Sequence, residues 1–144
     1  LCLAPERTGQ AHTWLARAKA LGLEHQAHLE TGLKAEDRRA LLRQSLVYIS
    51  WSETEYQSLA MLEALACGCA VIARPRGWLC QRVVPGVLIT DSKQEASLLL
   101  RRLIGHPALA RRLGKAGARY VQAHHGLSRM REQWAGLLLE LVQR

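Results

Sequence analysis

At 144 residues and 49% apolar, the chain is long enough for one domain with a real core and too apolar to be disordered. No apolar run approaches the roughly 20 residues of a membrane-spanning helix, and the opening "LCLAP" lacks the charged start of a secretory signal, reading instead as an internal start of something longer. Twenty Lys and Arg against twelve Asp and Glu give +8, which favours acidic partners: phosphates, nucleic acid or an anionic membrane surface.

In chain order, "LCLAP" is a short buried strand. The segment 9–23 is a helix, with Trp14, Leu15, Ala18 and Leu21 at helical spacing and Gly22 as a stop. Residues 24–32 are a weak strand ending in a turn at Gly32. Residues 34–44 are a helix with acids early and arginines late, as the macrodipole prefers. "SLVYIS" (45–50) is a strand. "YQSLAMLEALAC" (56–67) is a helix ended by Gly68, and "AVIAR" (70–74) a strand stopped by Pro75. A short helix over 77–84 and a strand over 86–90 follow. The helix over 92–105 has Ser92 as N-cap, with Glu95 three residues on, a capping box. The next starts at Pro107, a good first position. The last begins near Ser128 and carries Met130, Trp134, Leu137, Leu138 and Leu141 on one face, with Trp134 expected in the core.

Strands apolar on both faces that alternate with helices predict an α/β fold. The expected form is a Rossmann-like parallel sheet with helices on both faces and a helical C-terminal end. The cysteines, Cys2, Cys67, Cys69 and Cys80, fit no zinc spacing and read as reduced cytoplasmic thiols.

In such sheets ligands sit at the carboxyl ends of strands, beside helix N-termini. The loop 51–58 holds that position. A helix N-terminus offers free N–H groups and partial positive charge, which suits a phosphate. Glu55 stands at the mouth, and Glu63, eight positions on, leans back toward it as helical side chains do. Two carboxylates there would repel a phosphate but could accept hydrogen bonds from hydroxyls on either side of it, a vicinal diol giving two. That is the chemistry of a nucleotide sugar. Two plainer readings stay open: Ser52 and Glu55 as a simple capping box, and Glu63 as a solvent-facing acid.

The stretch 50–73 resembles the hallmark of retaining glycosyltransferases of the GT-B fold, family-4-like: a Pro-Ser-x-x-Glu loop, seven residues, then Glu-Ala-x-Ala-x-Gly and an apolar strand. The matching residues are Ser52, Glu55, Glu63, Ala64, Ala66 and Gly68. The segments 5–23, 29–33, 76–91 and 106–121 are similar to the family's flanking elements. The resemblance implies a nucleoside-diphosphate-sugar-binding C-terminal lobe over residues 1–144 that lacks its first strand-helix unit. It also implies a partner in the missing N-terminal acceptor lobe. Glu55 would face the donor sugar as the catalytic carboxylate, and Glu63 would hold the ribose. Ser52 would lie in the binding loop, and the backbone of Tyr56, Gln57 and Ser58 would approach sugar and phosphate. No metal or other cofactor is implied, and the location implied is cytoplasmic, at most peripheral to a membrane.

The chain departs from that pattern. Tyr56-Gln57-Ser58 replaces Gly-Phe-Gly, Trp51 a proline, Gln81 a glutamate and Trp78 a glycine. The Gly-Arg…Lys-Gly segment that would supply cations for the diphosphate is missing. These departures support an alternative, a non-catalytic binding or scaffold domain of the same fold. Separately, Arg111, Arg112, Lys115 and Arg119 form a basic helical stripe. A solvated face accounts for it first and an anionic membrane surface next. Nucleic acid comes last, for no aromatic platform accompanies it. His124 and His125 read as cations at a helix C-terminus.

Overall fold

The computed structural model describes Cys2–Leu3 and Ala11–Val142, so the expectations for Leu1, for 4–10 and for 143–144 lie outside the described residues. The chain divides into two compact units, Leu1–Arg38 and Arg39–Arg144.

In the first unit, β1 (Cys2–Leu3) pairs in parallel with β2 (His28–Leu29), Cys2 opposite His28. Between them runs α1 (Ala11–Ala20), which stops at Gly22 as expected. Among its described apolar side chains only Ala18 is buried; Trp14 and Leu15 are exposed, as is Leu21 just beyond the helix.

The second unit holds a three-stranded parallel sheet in the order β3 (Val47–Ser50), β4 (Ala70–Ala73), β5 (Val87–Ile89). The register aligns Ser50 with Ala73, and Ala73 with Ile89. All four residues of β4 are buried, as a central strand covered on both faces must be. One core layer gathers Met61, Leu65, Val71, Leu79 and Val84. The other gathers Ile72, Leu103 and Ala110. Each fully buried Leu or Ile contributes about 1.5–3 kcal/mol to that core.

The chain enters the unit along α2 (Ala35–Gln44), and α3 (Leu59–Ala66) links β3 to β4. After β5 come α4 (Lys93–Gly105), α5 (Pro107–His125) and α6 (Leu127–Val142). The turn between α3 and β4 is tight. Gly68 lies in the left-handed region at φ 88°, its N–H bonds Leu65 O at 2.9 Å, and Cys69 N bonds Ala64 O at 3.0 Å. The small pair Cys67-Gly68 thus closes the helix, and Cys69 is buried, its thiol pushed up to about 11 by desolvation. Gly114 of α5 lies against this turn so closely that a Cβ there would collide with the Gly68 carbonyl.

Three expectations change. First, α3 begins at Leu59 rather than Tyr56, because Ser58 takes the N-cap: it is extended (φ −75°, ψ 106°) and its Oγ accepts from Met61 N at 3.3 Å. The short helix over 77–84 is a single 3₁₀ turn, Gly77–Cys80. Last, Trp134 is 57% exposed, and α6 buries none of its described side chains. The amphipathic pattern of α6 marks a face suited to cover, and a pattern alone does not say that the cover belongs to the same unit. The Ser92 cap forms, accepting from Glu95 N at 3.2 Å. Its reciprocal half is relayed through Thr90, which donates to the Glu95 carboxylate and accepts from Ser92 N.

Candidate functional site

The loops that leave the carboxyl ends of β3 and β4 meet over a cavity. Ser50, Ser52, Glu55 and Ser58 line it from the first loop and the α3 N-cap. Met61 lies at its base, and Arg74, Arg76, Trp78 and Leu79 come from the loop after β4. Parallel strands with adjacent carboxyl ends bring these two loops together.

Backbone contacts staple the loops. Trp78 N donates to Tyr56 O at 3.0 Å, and Arg76 Nε donates to Glu53 O at 3.2 Å. Gly77 sits at φ 54°, and a Cβ there would collide with the carbonyl oxygens of Glu55 and Tyr56. Only glycine allows this approach.

The charges form a chain across the site. Arg74 Nη1 lies 2.7 Å from Glu53 Oε1, an ion pair without an aligned hydrogen bond, and Arg74 Nε donates to Asp91 Oδ1. Arg76 Nη2 reaches both oxygens of Asp91 at 3.2 Å. The guanidinium of Arg74 also lies 5.7 Å from the centre of the Trp51 ring, within cation–π range. The Arg74 guanidinium beside them holds the carboxyls of Glu53 and Asp91 below their ordinary range. The same contacts, Glu53 first, push Arg74 up. Both arginines are thus committed to carboxylates.

The six residues singled out in sequence divide. Ser52, Glu55 and Ser58 share the cavity. Ser58 is buried, with its hydroxyl occupied in the helix cap. No hydrogen bond or ion pair of the Glu55 carboxylate forms among the described residues. Tyr56, 86% exposed, and Gln57 lie on the outer surface of the loop. Glu63 is exposed on α3, a turn beyond the cap, and is not among the residues that line the cavity. The cavity itself measures about 10 Å³, room for about one water.

Sequence reasoning missed Arg74, Arg76 and Asp91, and treated Trp78 only as a departure. The rule that singled out the loop after β3 applies equally after β4, where "RPRGW" follows the strand directly. The indole N–H of Trp78 is buried without an acceptor among the described residues. At the end of α5, His125 meets the Trp78 ring edge-on at 5.6 Å and Tyr120 at 5.8 Å. Burial pushes its pKa down, with His124 and Arg82 adding to the effect.

Residues 9–120 match the family described as Glycosyl transferases group 1. The chain is 30% identical over 107 residues to a glycosyltransferase 1 domain-containing protein 1 of Xenopus tropicalis, which covers 73% of this chain and 31% of that protein. It superposes on sucrose-phosphate synthase from Thermosynechococcus elongatus with a TM-score of 0.83 at 25% identity, over 99% of this chain and 38% of that one. The C-terminal domain of a glycosyl transferase group 1 family protein from Francisella tularensis gives a TM-score of 0.72 at 23% identity, over 85% and 66%. The chain therefore spans about a third of the lengths of the first two proteins.

Proposed function

The chain belongs to the group 1 glycosyl transferases, and from that premise we propose that it is a donor-binding lobe of the retaining, family-4-like kind, moving a glycosyl group from a nucleoside diphosphate sugar to an acceptor. The observation that carries the reading is the convergence of Ser52, Glu55 and Ser58 on one cavity at the carboxyl end of β3. Because that cavity has room for about one water, the donor would lie across its mouth, over Tyr56 and Gln57.

In this reading Glu55 positions the sugar, and its carboxylate stabilises positive charge developing on the ring in the transition state. Glu63, on the exposed face of α3, accepts hydrogen bonds from the ribose hydroxyls. The backbone before the α3 cap meets the diphosphate, where the helix N-terminus favours negative charge. A sugar hydroxyl or phosphate oxygen reaching Trp78 would give its indole N–H the acceptor it lacks. The acceptor is read as held by a second lobe. The protein is read as cytoplasmic, and the reading requires no metal ion.

The rival is a scaffold domain of the same fold. The small cavity, the Tyr56-Gln57-Ser58 loop and the commitment of Arg74 and Arg76 to Glu53 and Asp91 favour it.

NMR titration with a panel of nucleoside diphosphates and their sugars separates the two. Binding to this chain is expected to be weak, about millimolar. Glu63→Gln should weaken every nucleotide by about tenfold, the loss of a hydrogen bond to a charged group. Glu55→Gln should weaken the nucleotide sugar more than the bare diphosphate. Unchanged affinity in Glu63→Gln would remove the ribose role. Silence at Glu55, Ser58 and Glu63 for every nucleotide would favour the scaffold.

A further inference from the structure

Between Glu95 and Glu132 the chain holds eight Lys and Arg and no acid, so the whole net charge of +8 lies in one segment. Half of these cations sit on one face of α5. Arg111, Arg112, Lys115 and Arg119 line a shallow depression of about 330 Å³, with Ala108 and Ala116 between them. All four are exposed, and none is ion-paired among the described residues. Like charges at i and i+4 work against the helix that carries them. Two more cations of the segment, Arg101 and Arg102 of α4, are also exposed.

We propose that this face docks on an anionic bilayer surface. Charge complementarity requires a polyanion, and two observations favour a bilayer over nucleic acid. The segment's one aromatic ring other than histidine is Tyr120, half-buried and tilted against His124 with ring centres 4.5 Å apart, so no free ring is offered to a base. Leu98 and Ile104 of α4, 67% and 59% exposed, gain by entering a headgroup layer and would gain nothing from a sugar-phosphate backbone. The alanines between the cations leave room for lipid phosphates to approach the guanidinium forks, which bind phosphate in two-point geometry. The face shares no residue with the cavity around Glu55, so the inference stands apart from the donor reading.

Vesicle flotation of the 144-residue chain tests it. Binding is expected to phosphatidylcholine vesicles carrying about 30 mol% phosphatidylserine and not to phosphatidylcholine alone. It should fade as salt rises from about 0.05 to 0.5 M. The quadruple variant R111Q/R112Q/K115Q/R119Q should lose at least about tenfold in partitioning. R17Q/K19Q/R39Q/R43Q removes the same charge from other exposed sites and should retain binding within about twofold. Circular dichroism checks that each variant folds. If the first quadruple variant does not, single reversals R111E and R119E carry the test, each with an expected loss of several-fold. No binding to anionic vesicles, equal loss in both quadruple variants, or tighter retention of single-stranded RNA than of vesicles would each overturn the proposal.

Discussion

Arg74, the first residue after β4, reaches back to Glu53 in the loop after β3, with Nη1 and Oε1 2.7 Å apart. Asp91 takes the other edge of the same guanidinium and also binds Arg76. Arg74→Gln should therefore raise the carboxyl pKa of both Glu53 and Asp91. In the parent both are depressed, so their contribution is present above the unfolded carboxylate range and lost as pH falls through the folded values. The variant should show a smaller loss of stability on acidification. Carbon-detected NMR titration of the two carboxyls checks it: unmoved pKa values would show that the ion pair does not persist in solution.

Gly77→Ala should disrupt the stapling of the two loops. A methyl group there meets the Glu55 and Tyr56 carbonyls, and φ 54° is strained for any side chain. A destabilisation of about 1–3 kcal/mol is expected, with faster amide exchange at Trp78, whose N–H holds Tyr56 O. Denaturant unfolding and hydrogen exchange read both, and a variant as stable and as protected as the parent would contradict the geometry.

His125 makes the Trp78 wall pH-sensitive. Its pKa is depressed from 6.5, chiefly by burial, so the folded state resists the proton that the unfolded chain accepts. Its stabilising effect is complete above the unfolded value and is lost as pH falls through the folded one. Thermal unfolding between pH 7.5 and 5 should therefore fall more steeply for the parent than for His125→Gln. Equal slopes would refute the assignment.

Removing α6 should cost little stability. It buries no described side chain, and its apolar face, Trp134 included, is exposed. A chain ending at Gly126 should keep its unfolding midpoint within a few degrees, corresponding to about 1 kcal/mol. It should also bind less of a hydrophobic dye. A collapse of the fold would show that α6 packs in solution.

Much of the architecture was legible in local chemistry. The unbroken apolar run at 70–73 can only be a central strand covered on both sides, and it is. Gly68 had to end α3, since a left-handed residue there closes the helix at no steric cost. The two-glutamate pattern pointed to the loop after β3, and that loop lines the cavity, because loops at the carboxyl ends of adjacent parallel strands lie close together. Other features depend on where the chain returns in space. Ser58, not Tyr56, sets the start of α3, because its hydroxyl satisfies Met61 N. That places Glu63 on the exposed surface and Glu55 at the cavity. Arg74 and Arg76 join the site only because β4 pairs in register with β3, setting Ala73 beside Ser50. The fate of Trp134 was equally open: helical spacing tells which side chains share a face, while burial requires a second surface, and α6 meets too little of one.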